Sequence, residues 1–329
     1  MATYKGIKGF SIQNLSADPS NPIEGEMWYN STSNVWKEST LTTAGAWATG
    51  NNLNTARSAV GAAGTQTEGL GFCGQLVPGS LSNTTEEYDG TNWTTVNPTN
   101  TSKRLLGSAG TQTAALGFGG YDPGGASTVT EKYNGTNWTT VNSMSTGRAD
   151  IGSLGIQTAA VGFGGYDGTP TPVGLITEEY DGTSWTNSNN LNTARSQPGG
   201  SGTQTAGLAF GGDIPPFAGD TESYDGTSWT SVNPMNTGRG GLSGCGIQTA
   251  TLAFGGNTGS YTGATEQYDG TSWVTSPASL NTARGYMLGG VGTTSAALAF
   301  GGDGPPAVAT ATEEWTGPGV AVTKTITVS

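Results

Sequence analysis

Residues 195–236 read RSQPGGSGTQTAGLAFGGDIPPFAGDTESYDGTSWTSVNPMN. A run of small residues, a Gly-Thr-Gln-Thr turn and a run ending at Phe210-Gly211-Gly212 make two short strands, and after DIPPFAGDT two more meet at Asp225-Gly226. Asp-Gly readily supplies the φ > 0 conformations of a tight hairpin. The stretch therefore predicts four short antiparallel strands, and a unit of this size cannot bury its own faces without stacked neighbours.

Neighbours are present. Arg57, Arg104, Arg148, Arg195, Arg239 and Arg284 are all the arginines of the chain and recur about every 44 to 47 residues, a period that identifies repeat architectures. Gly119-Gly120, Gly164-Gly165, Gly255-Gly256 and Gly301-Gly302 end the second strand of other copies, with Cys73-Gly74 as the degenerate case. The matching aromatics are Tyr88, Tyr133, Tyr180, Tyr224, Tyr268 and Trp315, and the tryptophans are Trp93, Trp138, Trp185, Trp229 and Trp273. Radial stacking hides most strand edges, so the expected fold is all-β, a six-bladed β-propeller of four-stranded antiparallel blades.

No tryptophan follows Trp315 at the repeat spacing, whereas GAWATGNNLNTAR places Trp47 ahead of Arg57 as Trp93 precedes Arg104. The segment around Trp47 is thus expected to supply the outer strand of the last blade. The alternating tail VAVTKTITV could contest that edge or add a strand beyond it, and the sequence leaves both open. The expected organisation is an N-terminal attachment segment over 1–44, a propeller over 45–316 and a C-terminal strand or tail over 317–329. Within the first segment, Trp28-Tyr29 and Val35-Trp36 flank Asn-Ser-Thr-Ser-Asn and read as a hairpin.

Composition agrees and excludes. The chain of 329 residues has 56 glycines and only 11% charged residues, a balance suited to short strands and many turns. Disorder would lack aromatics at fixed intervals. The net charge is −12 and half of the twelve basic residues are locked into the repeat, so no Lys/Arg cluster exists to neutralise phosphates and nucleic acid is not an expected partner. Cys73 and Cys245 occupy non-equivalent positions of different copies, which argues against a disulfide. No apolar run approaches the length of a membrane span, and the N-terminus lacks a continuous apolar signal region, so a soluble chain without membrane insertion or a secretory address is expected.

Arg, two strands, Gly-Gly, then Glu-x-Tyr-Asp and Trp is similar to the Kelch-type repeat over about residues 46 to 316. The departures are Cys73, Trp315 and the missing sixth tryptophan. The Trp-Tyr-Asn hairpin after a Pro-containing lead, coupled to Gly/Thr-rich YDGTSW repeats, resembles the N-terminal attachment piece of bacteriophage tail-fibre proteins, especially of marine phages. That resemblance implies a virion protein docking through its N-terminus, with Trp28, Tyr29 and Trp36 as docking residues. An enzymatic Kelch relative such as galactose oxidase needs histidine ligands to copper, and this chain has no histidine, which also excludes His general bases and Ser-His-Asp nucleophile activation. No cofactor and no metal site are expected, although Asp/Asn-rich loops leave calcium open.

Each arginine is matched by a glutamate two residues before the aromatic: Glu86, Glu131, Glu178, Glu222, Glu266 and Glu313. The expectation is a structural ring of Arg–Glu pairs exploiting the planar guanidinium fork. An arginine ring lining a channel to bind an anion is the rival, and the matched carboxylates would cancel most of its field. Asp89, Asp181, Asp225 and Asp269, with Asn134, read as turn residues; the Asp-x-Gly spacing of sialidase Asp boxes fails here.

Strand alternation puts the GTQT and DGT turns on one face and the second-to-third loops on the other. Those loops differ between copies and hold Tyr121, Asp122, Tyr166, Asp167, Asp213, Phe217, Asn257, Tyr261 and Asp303. Aromatics beside carboxylates and amides suit sugar recognition. The reading is a non-enzymatic phage virion protein, a tail fibre or adhesin-like head at the particle surface. Its expected partners are other virion proteins through the N-terminus and host-surface glycan or protein through the propeller; homo-oligomerisation is left open. The alternatives are a polysaccharide depolymerase using loop carboxylates, a capsid decoration protein without receptor binding, and a cellular scaffold for another protein's peptide.

Overall fold

A computed structural model describes residues 13–19, 26–41, 44–76, 79–168, 173–213, 217–286, 288–304, 310–319 and 321–326. The chain divides into Ala46–Thr316 and a smaller unit made of Met1–Gly45 with Gly317–Ser329.

The larger unit is a closed β-propeller of six four-stranded antiparallel sheets. In blade 4 the strands are Gly199–Thr203, Ala206–Phe210, Thr221–Tyr224 and Trp229–Val232, adjacent in chain order. The first strands of successive blades touch one another in a cycle that returns from blade 6 to blade 1, so they surround the axis. Blade 6 is completed by Ala46–Gly50, which pairs antiparallel with Thr312–Thr316 and sets Trp47 opposite Trp315. The strand around Trp47 therefore forms the outer edge. Ala321–Ile326 pairs instead with Val35–Leu41 in the smaller unit.

The repeated residues hold blade to blade. Each outer-strand tryptophan donates Nε1–H to a threonine Oγ1 of the preceding blade: Trp93 to Thr312, Trp138 to Thr85, Trp185 to Thr130, Trp229 to Thr177, Trp273 to Thr221 and Trp47 to Thr265, at 2.9–3.1 Å. The same ring packs on a phenylalanine of that blade, as Trp229 does on Phe163 at 5.1 Å between centroids. These phenylalanines are fully buried, each removing apolar area worth about 1.5–3 kcal/mol from water. Their bulk bears on the inner strand: a Cβ on Gly199 would lie 2.3 Å from Phe210 Cε2, so glycine fits beneath that ring, whereas blade 5 sets Ser243 opposite Phe254.

The glutamine of the GTQT turn is a staple as well. Gln66, Gln112, Gln157, Gln204 and Gln248 each donate to two backbone carbonyls of the preceding blade, as Gln112 does to Gly69 at 3.0 Å and Tyr88 at 2.7 Å. Cys73, standing where other copies have glycine, keeps the left-handed backbone of its counterparts, φ 58° against 64° at Gly211. Both cysteines are free and buried.

In the smaller unit, Met27–Asn30 and Val35–Leu41 pair as a hairpin, joined by Gln13–Leu15 in parallel and by Ala321–Ile326 into one four-stranded sheet. Trp28 is wholly buried in it, its Nε1–H donating to Asp18 Oδ1 at 3.0 Å. Trp28 is thus a core residue rather than a docking one. Tyr29 and Trp36 are half-buried and pack on each other at 5.4 Å.

Candidate functional site

Five of the repeated arginines are sealed inside their own blades. Arg57, Arg148, Arg195, Arg239 and Arg284 are buried and pair with Glu86, Glu178, Glu222, Glu266 and Glu313 at 2.6–3.3 Å. Each glutamate also accepts backbone N–H groups from the connector that precedes the arginine, as Glu222 does from Asn192 at 2.7 Å and Thr193 at 3.2 Å. Burial pushes these guanidinium pKa values down and the glutamates oppose that. These arginines are committed within the blades and form no ring lining the axis.

The expected Arg104–Glu131 pair is not formed. Lys103 occupies the arginine site, buried with Nζ 3.6 Å from Glu131 Oε1 and 3.0 Å from the Val129 carbonyl. Arg104, one residue later, is pushed out onto the loop face. There its Nη1 donates to Gln75 Oε1 and its guanidinium stacks 5.1 Å from the Tyr121 ring centroid.

The two residues after the buried cation build the centre of that face. The second of them is left-handed in every blade: Ala59 at φ 53°, Leu105 at 58°, Asp150 at 58°, Gln197 at 53°, Gly241 at 61° and Tyr286 at 58°. L-residues take this conformation at a cost of about 1–2 kcal/mol each, so something must hold it. A belt of backbone hydrogen bonds does: Ala59 donates to Tyr286, Leu105 to Ala59, Asp150 to Leu105, Gln197 to Asp150 and Gly241 to Gln197, at 2.9–3.2 Å. Just inside this rosette sit Leu106, Ile151, Leu242 and Leu288, and a cavity of about 170 Å³ runs between the inner strands.

The backbone of the rosette is repetitive and its side chains are not. Ala59 and Leu105 are buried together with Ala149, and Tyr286 packs on them. On the other side stand Asp150 and Gln197, with Asp213 near Asp150. Burial pushes the Asp150 carboxyl up to about 6, opposed by a hydrogen bond from Gln197 and the charge of Arg104, and reinforced by Asp213. Its Oδ1 is buried without a hydrogen-bond partner among the described residues. Burial raises the Tyr286 hydroxyl as well, with Asp150 and Asp303 adding to the shift.

Around the rosette, the residue after each Gly-Gly pair bridges to the residue after the basic one. Tyr121 meets Arg104, Tyr166 meets Ala149, Asp213 meets Ser196, Asn257 meets Gly240 and Asp303 meets Gly285. These five sequence candidates therefore share one structural position. Tyr121 and Tyr166 are exposed, at 42% and 48%. Tyr261 bridges to Asn257 and donates its hydroxyl to Asp303 Oδ2 at 2.7 Å; burial and that contact push its pKa up to about 12. Phe217 lies beside Gly240, whose added Cβ would be 3.2 Å from its Cδ1. Asp122 accepts from Gly124 N–H within its own hairpin, a turn role, and Asp167 is half-buried beside Tyr166. Among the described residues no three His, Cys, Asp or Glu converge as metal ligands.

As residues of this face, Arg104, Gln75, Asp150, Gln197 and Tyr286 were not expected from the sequence, which had placed Arg104 in the structural ring. The signal was there in the connector: SA, RL, AD, SQ, GG and GY come after the basic residue in the six copies, a variable pair in an otherwise constant segment. Reading Arg104 as the register arginine hid it by one position.

No family model matches the chain and no curated protein matches it. Among solved structures, one titled "Structure of YjhT" is similar over 80% of this chain and 95% of its own, with a TM-score of 0.66 at 14% identity. At that identity the likeness concerns the fold alone, a β-propeller, and 257 solved chains match in structure, so the fold does not select a function.

Proposed function

We propose that this chain is a phage virion protein, a tail-fibre or adhesin-like head whose smaller N-terminal unit docks to the particle and whose propeller presents its loop face to the host surface. One observation carries the binding role: the blades repeat their core pairs, staples and turns, yet at the rosette and the ring around it the side chains vary from blade to blade. Stability of a ring does not require that diversity, and exposed aromatics beside carboxylates and amides suit a glycan or protein receptor. The docking role rests on the resemblance of the Trp-Tyr-Asn hairpin to tail-fibre attachment pieces and on the Kelch-like repeat coupled to it.

The test is adsorption. The isolated chain should compete with particles for host cells, and a chain lacking residues 1–45 and 317–329 should still compete but no longer enter particles. Both termini must be removed together, because Ala321–Ile326 belongs to the N-terminal sheet. Failure of the intact chain to compete would refute the adhesin reading.

A second reading has one observation behind it. Asp150, with its carboxyl pushed up to about 6 and Asp213 nearby, has the features of a general acid, which a polysaccharide depolymerase would need. Release of reducing ends from host polysaccharide, abolished by Asp150→Asn, would favour it over simple adhesion.

A further inference from the structure

We propose that the rosette is the primary ligand site of the loop face and that it takes one neutral saccharide residue, held through Asp150 and Gln197 on its polar side and Tyr286 on its apolar side. The inference rests on the binding role proposed above and narrows it from the variable loops to the axis.

Backbone strain points there first. Five non-glycine residues are kept left-handed in one belt, and an over-determined backbone outlier is the kind of feature that positions side chains for binding. The rosette is rigid: Ala59, Leu105, Asp150, Gln197 and Gly241 are each tied through their N–H to the preceding blade, and the Tyr286 carbonyl accepts from Ala59. A ligand there loses little to ordering the site.

An unsatisfied carboxylate lies in the same place. Asp150 Oδ1 is buried without a partner among the described residues, at a point where its own residue is partly exposed. A buried acceptor left unpaired is costly, and a donor brought in by a ligand at the exposed side of the residue would satisfy it. The donor must come with acceptors too, because Gln197 beside it carries an amide N–H₂ and Arg104 a guanidinium whose Nε is likewise unpartnered. Adjacent hydroxyl groups on one ring are both donors and acceptors.

Charge selects the class of ligand. Asp150 feels the charges of Arg104 and Asp213, Tyr286 those of Asp150, Arg104 and Asp303, and the Arg104 Nη1 is already engaged by Gln75. An anionic sugar would meet three carboxylates against one cation that is partly committed, so a neutral one is favoured. Tyr286, half-buried on Ala59 and Leu105, offers a fixed ring to the C–H face of a pyranose.

The test uses the full chain and the methyl glycosides of glucose, galactose, mannose and N-acetylglucosamine, with glucosamine and glucuronic acid as charged probes, read by saturation-transfer NMR and titration. Asp150→Asn keeps shape and tolerates the left-handed backbone; Arg104→Gln is the second variant should the first fold poorly. At least one neutral glycoside should bind, and each variant should weaken it about tenfold or more, as loss of a hydrogen bond to a charged group implies, while Tyr166→Ala changes it less. Binding unaffected by both rosette variants, or confined to a charged probe, overturns the proposal. So does a chain that binds no glycoside yet still competes for host cells, an outcome that leaves the adhesin reading intact. A rosette that binds a glycoside in a chain that never competes for cells would uphold the site and refute the adhesin reading.

Discussion

Replacing Glu222 with Gln removes one negative charge and almost no volume from a site where both partners of an ion pair are out of water, with side-chain exposures of 0% for Arg195 and 1% for Glu222. Glu222 accepts from Arg195 at 2.6 Å, from Asn192 N and Nδ2 at 2.7 and 2.9 Å and from Thr193 N at 3.2 Å. Glutamine can accept through one oxygen only, and its amide hydrogens would face donors. Arg195 would keep the Gly211 and Asp220 carbonyls but no counter-charge. Removing one partner of a buried pair costs about 3–5 kcal/mol. At about 2–4 °C of melting temperature per kcal/mol for a domain of this size class, the shift should be about 6–20 °C downward. Denaturant and thermal melts of the full chain measure it. Adding Arg195→Met to Glu222→Gln should recover part of the loss, since the second change removes the stranded charge. A shift under about 2 °C for the single variant, or no recovery in the double, would refute the view that these pairs are desolvated clamps.

Trp47→Ala should cost about 3–5 kcal/mol and loosen the ring at its seam, because Trp47 carries the Thr265 bond and the Phe254 and Trp315 packing of the closing strand; limited proteolysis should then cut near residues 44–50 before other blades. Asp150 makes stability fall with alkalinity: its folded carboxyl is raised to about 6 from 3.8, so its contribution is fully present below pH 3.8 and lost as pH rises through about 6. The difference between wild type and Asp150→Asn should therefore grow in favour of Asn between about pH 4 and pH 6 and level off above that, at about 2–3 kcal/mol at most, as pH-dependent melting would record. Cys73 and Cys245 are both buried, and burial raises both thiols, Cys245 to about 12, so neither should react with a thiol reagent until denaturant is added; rapid labelling of the folded chain would contradict this.

Period and count alone dictated the ring. Regular spacing of Gly-Gly, Tyr-Asp-Gly and Trp specifies strands and turns locally, a four-stranded unit has to stack, and a sixth unit lacking its tryptophan has to borrow one, which left Trp47 as the donor. Pairings that depend on small shifts are not legible in this way. Lys103 and Arg104 are adjacent cations, and packing selects the one that reaches Glu131; the lysine fits because its Nζ also reaches the Val129 carbonyl. The alternating tail was expected to contest the last blade's edge or add a strand beyond it; it does neither and pairs with Val35–Leu41, a partner that no local pattern names. Trp28 looked like a surface anchor because indole rings serve both roles, and burial against Asp18 is invisible in a string. The candidate site was half legible: the ring after Gly-Gly came from loop variability, but the rosette comes from six backbones converging on one axis. Residues about 45 apart become neighbours there because the propeller closes, so separation along the chain hides a contact that closure creates.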